Sequence, residues 1–262
     1  MSASEAERAI RFRRDGYAVR AKSDGRDYWR IMAAYLAADV KREEVLPGGE
    51  RSRGFSVPCG DGELALHPLS TVNPNRRVFR AVFDGGTYVL KWASRGTLGL
   101  GSLTGRISCL TYFGRLFGLV RRAVDAGCAA TQDYLLVAEK PLSPFRQETL
   151  VLLEYVEGEA LGGKSDLAPY REALREAMAD LAGHGLTIDD ISPFNFLAAG
   201  GRIRVIDLSC RPPTRLNVVK MIMKMNARYG LDIPVRGAVD NLLRALLGMR
   251  YAVRGWFGKD DF

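Results

Sequence analysis

Asp190-Ile-Ser-Pro-Phe-Asn195-Phe-Leu-Ala-Ala-Gly-Gly-Arg-Ile-Arg-Val-Ile-Asp207-Leu-Ser is the stretch on which the reading of this chain turns. It parses as a loop, a strand, a Gly200-Gly201 turn and a returning strand. Asp190 and Asn195 stand at the mouth of the loop, and Asp207 ends the returning strand. These groups suit different tasks. A positioned carboxylate can take a proton from a hydroxyl, and a carboxylate with an amide oxygen suits a hard cation. Asp207 follows the apolar run Arg204-Val-Ile, where an unpaired carboxylate is costly to bury. It therefore calls for a cationic side chain or a metal. Asp189 competes with Asp190, and an Asx turn is the bland alternative for either acid. The four-residue gap before Asn195 favours Asp190.

A chain of 262 residues can bury a real core, as one large domain or two smaller lobes. No apolar run approaches the roughly 18 residues of a membrane-spanning helix. The opening Met1-Ser-Ala-Ser-Glu-Ala-Glu-Arg lacks the apolar segment of an export signal, so a cytoplasmic location is expected. The cysteines at 59, 109, 128 and 210 form no metal-ligand spacing and read as free thiols. The net charge of +8 favours an anionic partner: nucleic acid, an acidic membrane face or a phosphorylated glycan.

Residues 1–15 read as a polar, mobile start, Tyr28–Ala37 as a helix, and residues 47–62, rich in Gly and Pro, as loop. Arg77–Phe83 and Thr87–Trp92 read as strands joined at Asp84-Gly85-Gly86. The glycine-rich run from Arg95 to Arg106 matches no phosphate-loop template and reads as a surface loop. Leu110 to Ala126 reads as an amphipathic helix exposing Arg115, Arg121 and Arg122. Tyr134–Glu139 and Thr149–Val156 form two further strands, with Pro141 to Phe145 as their turn. Leu167 to His184 is a helix stopped by Gly185, with His184 bonding a local carbonyl. Pro212-Pro213 closes the central hairpin, and Leu216–Tyr229 and Val239–Tyr251 are helical with basic outer faces. The expected fold is α+β and two-lobed. Residues 1–62 form a helical and loop extension, 63–155 a β-rich N-lobe, and 156–262 a helical C-lobe.

The D-x-x-x-x-N run followed by a strand ending in Asp resembles the phosphotransfer core of protein-kinase-like enzymes. Within that superfamily the chain resembles the bacterial lipopolysaccharide core heptose(II) kinases. The matching pieces are Gly16-Tyr-Ala-Val, Tyr88-Val-Leu-Lys91, Tyr134 to Lys140, Leu153-Glu-Tyr-Val-Glu-Gly158, His184-Gly185, Asp190 to Phe196, Arg204 to Ser209 and Arg228-Tyr-Gly-Leu. Together they span roughly residues 16–258.

The resemblance implies ATP-dependent phosphorylation of a heptose hydroxyl in the lipopolysaccharide inner core. Asp190 would be the base, Lys91 would hold the nucleotide phosphates, and Asn195 and Asp207 would hold Mg2+. Glu154 and Val156 belong to the connector whose backbone would meet the adenine. The implied partners are the core glycan and the inner face of the cytoplasmic membrane, and not nucleic acid. The basic, aromatic tail Arg250 to Lys259 suits lipid headgroups or packing on the domain. Three departures stand out. The family pattern G-D-P-H is replaced by Asp189-Asp190-Ile191-Ser192, Cys210 stands where a glycine follows the metal acid, and no glutamate lies between Lys91 and Glu139. The last departure keeps open a non-catalytic pseudokinase module. A small-molecule kinase for an aminoglycoside or choline-like alcohol is a further alternative.

Overall fold

The computed structural model describes residues 9–24, 26–40, 42–45, 52–70, 75–96, 112–143, 146–208, 214–235 and 237–256. It is an α+β protein whose contacts divide it into two units. One comprises residues 1–121 and 133–155, the other 122–132 and 156–262.

An eight-stranded antiparallel sheet forms the first unit. Its strands are β1 (Ile10–Arg14), β2 (Tyr17–Ala21), β3 (Phe55–Cys59), β4 (Gly62–Ser70), β5 (Arg76–Phe83), β6 (Gly86–Gly96), β7 (Tyr134–Ser143) and β8 (Arg146–Glu154). The spatial order is β1-β2-β7-β8-β6-β5-β4-β3. Turn chemistry sets the register of the β5–β6 hairpin. Asp84 and Gly85 have φ of 49° and 69°, the pair of positive values that a two-residue primed turn needs. Helix α1 (Tyr28–Ala37) starts at Asp27, whose carboxylate accepts the Trp29 N–H at 3.2 Å. Its buried Trp29, Ile31, Met32 and Tyr35 cover one face of the sheet, built from Tyr17, Leu66, Phe79, Leu90, Leu136 and Leu152. Each such large side chain contributes about 1.5–3 kcal/mol by leaving water.

Several expectations are corrected here. Residues 1–62 are not an extension of helix and loop alone, because they supply β1, β2 and β3 to the sheet. Phe55–Cys59 pairs with β4 despite Pro58. The reason is position: β3 is an edge strand, where a residue without an N–H is tolerated. Pro141–Ser143 extends β7 rather than turning, and residues 144–145 lie outside the described set. Of the surface loop expected from Arg95 to Arg106, residues 95 and 96 instead end β6, and the rest falls outside the described set, as do Cys109, Cys210, Pro212-Pro213 and residues 257–259.

Helix α3 (Tyr112–Asp125) follows the short α2 (Arg42–Val45), and the division between units falls within it. Arg115 and Arg122 are exposed, whereas Arg121 is 4% exposed, against expectation. Its Nη1 donates to both carboxylate oxygens of Asp133 at 2.8 Å, and Lys22 Nζ lies 3.6 Å from the same group. A buried cation is tolerated only with such a partner.

The second unit contains β9 (Glu159–Ala160), α4 (Arg171–Gly183), β10 (Phe196–Ala199), β11 (Arg202–Val205), α5 (Arg215–Tyr229) and α6 (Ala238–Trp256). Strands β11, β10 and β9 form a small antiparallel sheet. Helix α4 buries Leu174, Ala177, Met178 and Leu181, preceded by a 3-10 turn at Ala168–Tyr170. At its end, Asp180 Oδ2 accepts the N–H groups of Ala129 and Ala130, both at 2.8 Å, and Cys128 Sγ lies 3.5 Å away. His184 Nδ1 reaches the Asp180 carbonyl at 2.9 Å, and Nε2 reaches the Ala126 carbonyl at 3.3 Å. With a carbonyl at each ring nitrogen, both nitrogens serve as donors only in the imidazolium. Cys128, Asp180 and His184 offer ligand atoms within 4.8 Å of one another. However, burial first, and then Asp180, pushes the Cys128 thiol up to about 11. That favours the protonated thiol rather than the thiolate a metal needs. The group is a clamp that ties residues 126–130 to α4. Among the described residues, no helix is long and apolar enough to cross a membrane.

Two stability outcomes follow from these polar anchors. Arg121→Ala strands the Asp133 carboxylate, with Lys22 Nζ 3.6 Å away. The expected loss is about 3 kcal/mol in urea unfolding, the low end for a broken buried pair, with partial recovery in Arg121→Met/Asp133→Leu. The carbonyl bonds of His184, the Asp180 one foremost, raise its pKa above the usual 6.5. Its stabilisation is therefore complete below about pH 6.5 and lost as pH rises through the elevated folded value. Urea midpoints of wild type and His184→Gln should accordingly differ most at acidic pH and converge above that value.

Candidate functional site

The β10–β11 hairpin is closed by Gly200 and Gly201, with φ of 56° and 77°. Its register pairs Phe196 with Val205, and the next rung is made by the Ile206 N–H donating to the Asn195 carbonyl at 3.1 Å. Asn195 and the residue before Asp207 are thereby held side by side. Phe196 is fully buried and meets the Tyr229 ring edge-on at 5.9 Å. The Tyr229 hydroxyl donates to the Ile191 carbonyl, so α5 anchors the loop at both ends. Burial pushes the Tyr229 hydroxyl's pKa up, which keeps it a donor.

The loop itself is tied by short local bonds. Asp190 Oδ1 accepts the Ser192 N–H at 2.9 Å, the Asx turn weighed from sequence, and the carboxylate is exposed. Asn195 closes a 3-10 turn over Pro193–Asn195, and its Nδ2 donates to the Asp190 carbonyl at 3.1 Å. That bond orients the amide so that its oxygen points away from the Asp190 carbonyl. Asp207 is half-buried two residues past the end of β11. One carboxylate and one amide oxygen are hard donors of the kind Mg2+ takes while keeping waters.

The two adjacent acids differ in surroundings. Asp189 Oδ1 lies 4.0 Å from Lys220 Nζ, and Lys224 Nζ donates to the Asp189 carbonyl at 3.3 Å. These half-buried lysines of α5 reach inward, unlike the outward basic face expected, while Arg215 and Arg228 are exposed. Between the acid and the amide sits Phe194, whose ring lies against Gly162. A Cβ at residue 162 would meet that ring at 2.3–2.5 Å.

Lys91 lies in the first unit, in the middle of β6, paired with Val78 of β5 and Val151 of β8. Its neighbours Leu90 and Trp92 turn to the α1 side, so Lys91 faces the opposite way. The register places Glu139 on the Lys91 face: Val137 stands level with Lys91 across Val151, and Glu139 is two residues further along β7. Glu139 is 8% exposed and its Oε1 accepts from Gln147 Nε2 at 3.0 Å. Arg20, paired with Val137, is on this face too, with Nη1 donating to the Gly114 carbonyl at 3.2 Å. The sequence places Glu139 and Glu154 on strands near a nucleotide pocket but not on one face with Lys91, because that needs the non-sequential order β2-β7-β8-β6. Glu154 ends β8, with its Oε2 accepting the Asp133 N–H at 3.2 Å. Val156 is buried and begins the second unit. The structure thus places Asn195 and Asp207 at the open end of one hairpin, with Asp190 in the loop that leads into it, and Lys91, with Glu139, on one sheet face.

Comparison with known proteins shows the following likenesses. The family described as lipopolysaccharide core biosynthesis protein (WaaY) matches residues 84–243. The lipopolysaccharide core heptose(II) kinase WaaY of Escherichia coli (strain K12) is 26% identical over 234 residues, covering 88% of this chain and 90% of the relative. A solved structure of WaaP in complex with acyl carrier protein aligns with a TM-score of 0.41 and 21% identity, over 72% of this chain and 84% of that one. The family match takes in Lys91, Asp190, Asn195 and Asp207 and exceeds half of the chain: the protein belongs to the WaaY family of lipopolysaccharide core biosynthesis proteins.

Proposed function

We infer that this protein is a kinase that transfers the γ-phosphoryl group of ATP to a heptose hydroxyl of the lipopolysaccharide core. The observation that carries this reading is the match to a core heptose(II) kinase over 88% of the chain. The local geometry supports it: an exposed acid, a fixed amide and a second acid on one hairpin have the chemistry of phosphoryl transfer. The first and second units are read as the β-rich N-lobe and helical C-lobe of a protein-kinase-like fold.

The roles divide by chemistry. Lys91, a point charge, holds phosphate oxygens of the nucleotide. The Asn195 amide oxygen and the Asp207 carboxylate hold Mg2+, which when bound neutralises phosphate charge. The carboxylate of Asp190 orients the acceptor hydroxyl and takes its proton as the new oxygen–phosphorus bond forms and the bond from the γ-phosphorus to the β,γ-bridging oxygen breaks, with ADP as the leaving group. Lys220 Nζ lies 4.0 Å from the Asp189 carboxylate, which makes Asp189 less suited to that task and supports Asp190. The Glu154–Val156 connector contributes backbone groups to the adenine.

Glu139 answers the absence of a glutamate between Lys91 and residue 139. A buried carboxylate on the lysine's own sheet face is suited to hold the ammonium group in place. The acceptor is anionic and membrane-held, so we further propose peripheral attachment to the inner-membrane surface. The net charge of +8 supports this, as do Val239, Leu242, Leu246 and Met249, exposed along α6 at helical spacing.

Phosphate incorporation into core-bearing lipid acceptor tests the base. Asp190→Ala should lose roughly 10²–10⁴-fold in rate, and equal incorporation would remove Asp190 from the mechanism. Mg-ATP should raise the Tm of wild type but not of Lys91→Ala or Asp207→Ala. A double-mutant cycle tests Glu139. The expected result is roughly tenfold weaker Mg-ATP binding in Glu139→Gln and no further loss when Lys91→Ala is already present. Additive losses would separate the two residues.

A further inference from the structure

Phe194 is 63% exposed, an unusual setting for a large aromatic side chain in a loop that is otherwise tightly bonded. It stands between the proposed base Asp190 and the proposed metal ligand Asn195. Its backbone cannot wander, because the Asn195 N–H donates to Ser192 at 2.9 Å and the Asn195 side chain to Asp190 at 3.1 Å. Nor is its ring loose. It lies on Gly162, in the 3-10 turn Leu161–Gly163, and any side chain there would collide with Cγ, Cδ1 and Cε1 of the ring. Leu161 is buried and anchors that turn. The outcome is an aromatic ring pinned on a glycine while much of its surface meets water.

Exposing a phenyl ring to solvent forfeits the gain from its burial, so the arrangement suits a ligand that covers it. We propose that Phe194 is the stacking platform for the sugar ring of the phosphoryl acceptor. One face of a pyranose presents a row of axial C–H groups of low polarity, while its hydroxyls point outward from the ring edge. The negative face of the phenyl quadrupole attracts those C–H hydrogens, and the contact also removes apolar surface from water. A sugar laid on Phe194 has its rim hydroxyls beside the loop that carries Asp190, four residues earlier in the chain. The ring orients the acceptor and takes no part in proton transfer, so it is a specificity-determining residue. This inference rests on the kinase reading and adds to it the surface that receives the sugar.

The test uses lipid-free core oligosaccharide as acceptor, with both equilibrium binding and turnover measured. Phe194→Ala should weaken acceptor binding and raise acceptor KM by roughly three- to tenfold, the range of an aromatic contact. Its kcat and Mg-ATP-induced Tm shift should remain those of wild type. Gly162→Ala, which displaces the ring without removing it, should do the same, and Phe194→Trp should restore binding. Unchanged acceptor Kd in both Phe194→Ala and Gly162→Ala, with wild-type turnover intact, overturns the platform and leaves the kinase reading standing. So does a defect confined to acceptor embedded in anionic vesicles, which assigns the ring to lipid. A wild-type protein that binds Mg-ATP but not the oligosaccharide overturns both the platform and the acceptor.

Discussion

The antiparallel register of Phe196–Ala199 against Arg202–Val205 holds the rest of the candidate site, because every functional atom on the second unit is counted from it. Residues 200 and 201 both take positive φ, which only glycine adopts without strain, and this pins a two-residue turn. Side chains alternate along a strand, so a slip of one residue would reverse every side chain of β11 and carry Asp207 away from Asn195. The backbone rung from Ile206 to Asn195 extends that register beyond the strands proper. The buried Phe196, edge-on to Tyr229, resists the slip by packing.

What could be read from the sequence was local. Asp84-Gly85 and Gly200-Gly201 announce their hairpins because the turn requires a conformation few residues accept. Tyr28–Ala37 shows itself by its apolar periodicity, and its observed bounds are the expected ones. Non-local features stayed hidden. Arg121 looks like a surface arginine until Asp133 is brought against it by the return of the chain into β7. Phe55–Cys59 carries loop-like residues and is a strand only because β4 pairs with it at the sheet edge. The same holds for the site: the spacing of Asp190, Asn195 and Asp207 lies within one hairpin, whereas the shared face of Lys91 and Glu139 spans three strands.

Charge placement separates neighbouring groups of the same chemistry. Asp189 and Asp190 are adjacent, yet α5 brings Lys220 within 4.0 Å of the first carboxylate and Lys224 to its main-chain carbonyl, with none of its described bonds at the second carboxylate. Helix α5 therefore acts on the loop in two ways. It fixes the backbone through Tyr229 and Ile191, and it sets the Lys220 ammonium 4.0 Å from the carboxylate of the acid that is not exposed.

Glycines complete the arrangement by removing side chains where main chains or rings must approach. A Cβ at Gly158 would lie 2.7 Å from the Ala198 carbonyl, so the chain leaving β8 could not run alongside β10 with any other residue. Gly162 performs the corresponding task for Phe194, two residues beyond β9. Both glycines belong to the segment that joins the large sheet to α4, and both abut the strand or loop bearing the catalytic candidates. The small sheet is thus assembled around close approaches rather than around bulky packing at this edge. That is why a segment with so few large apolar residues can still hold the loop in one conformation.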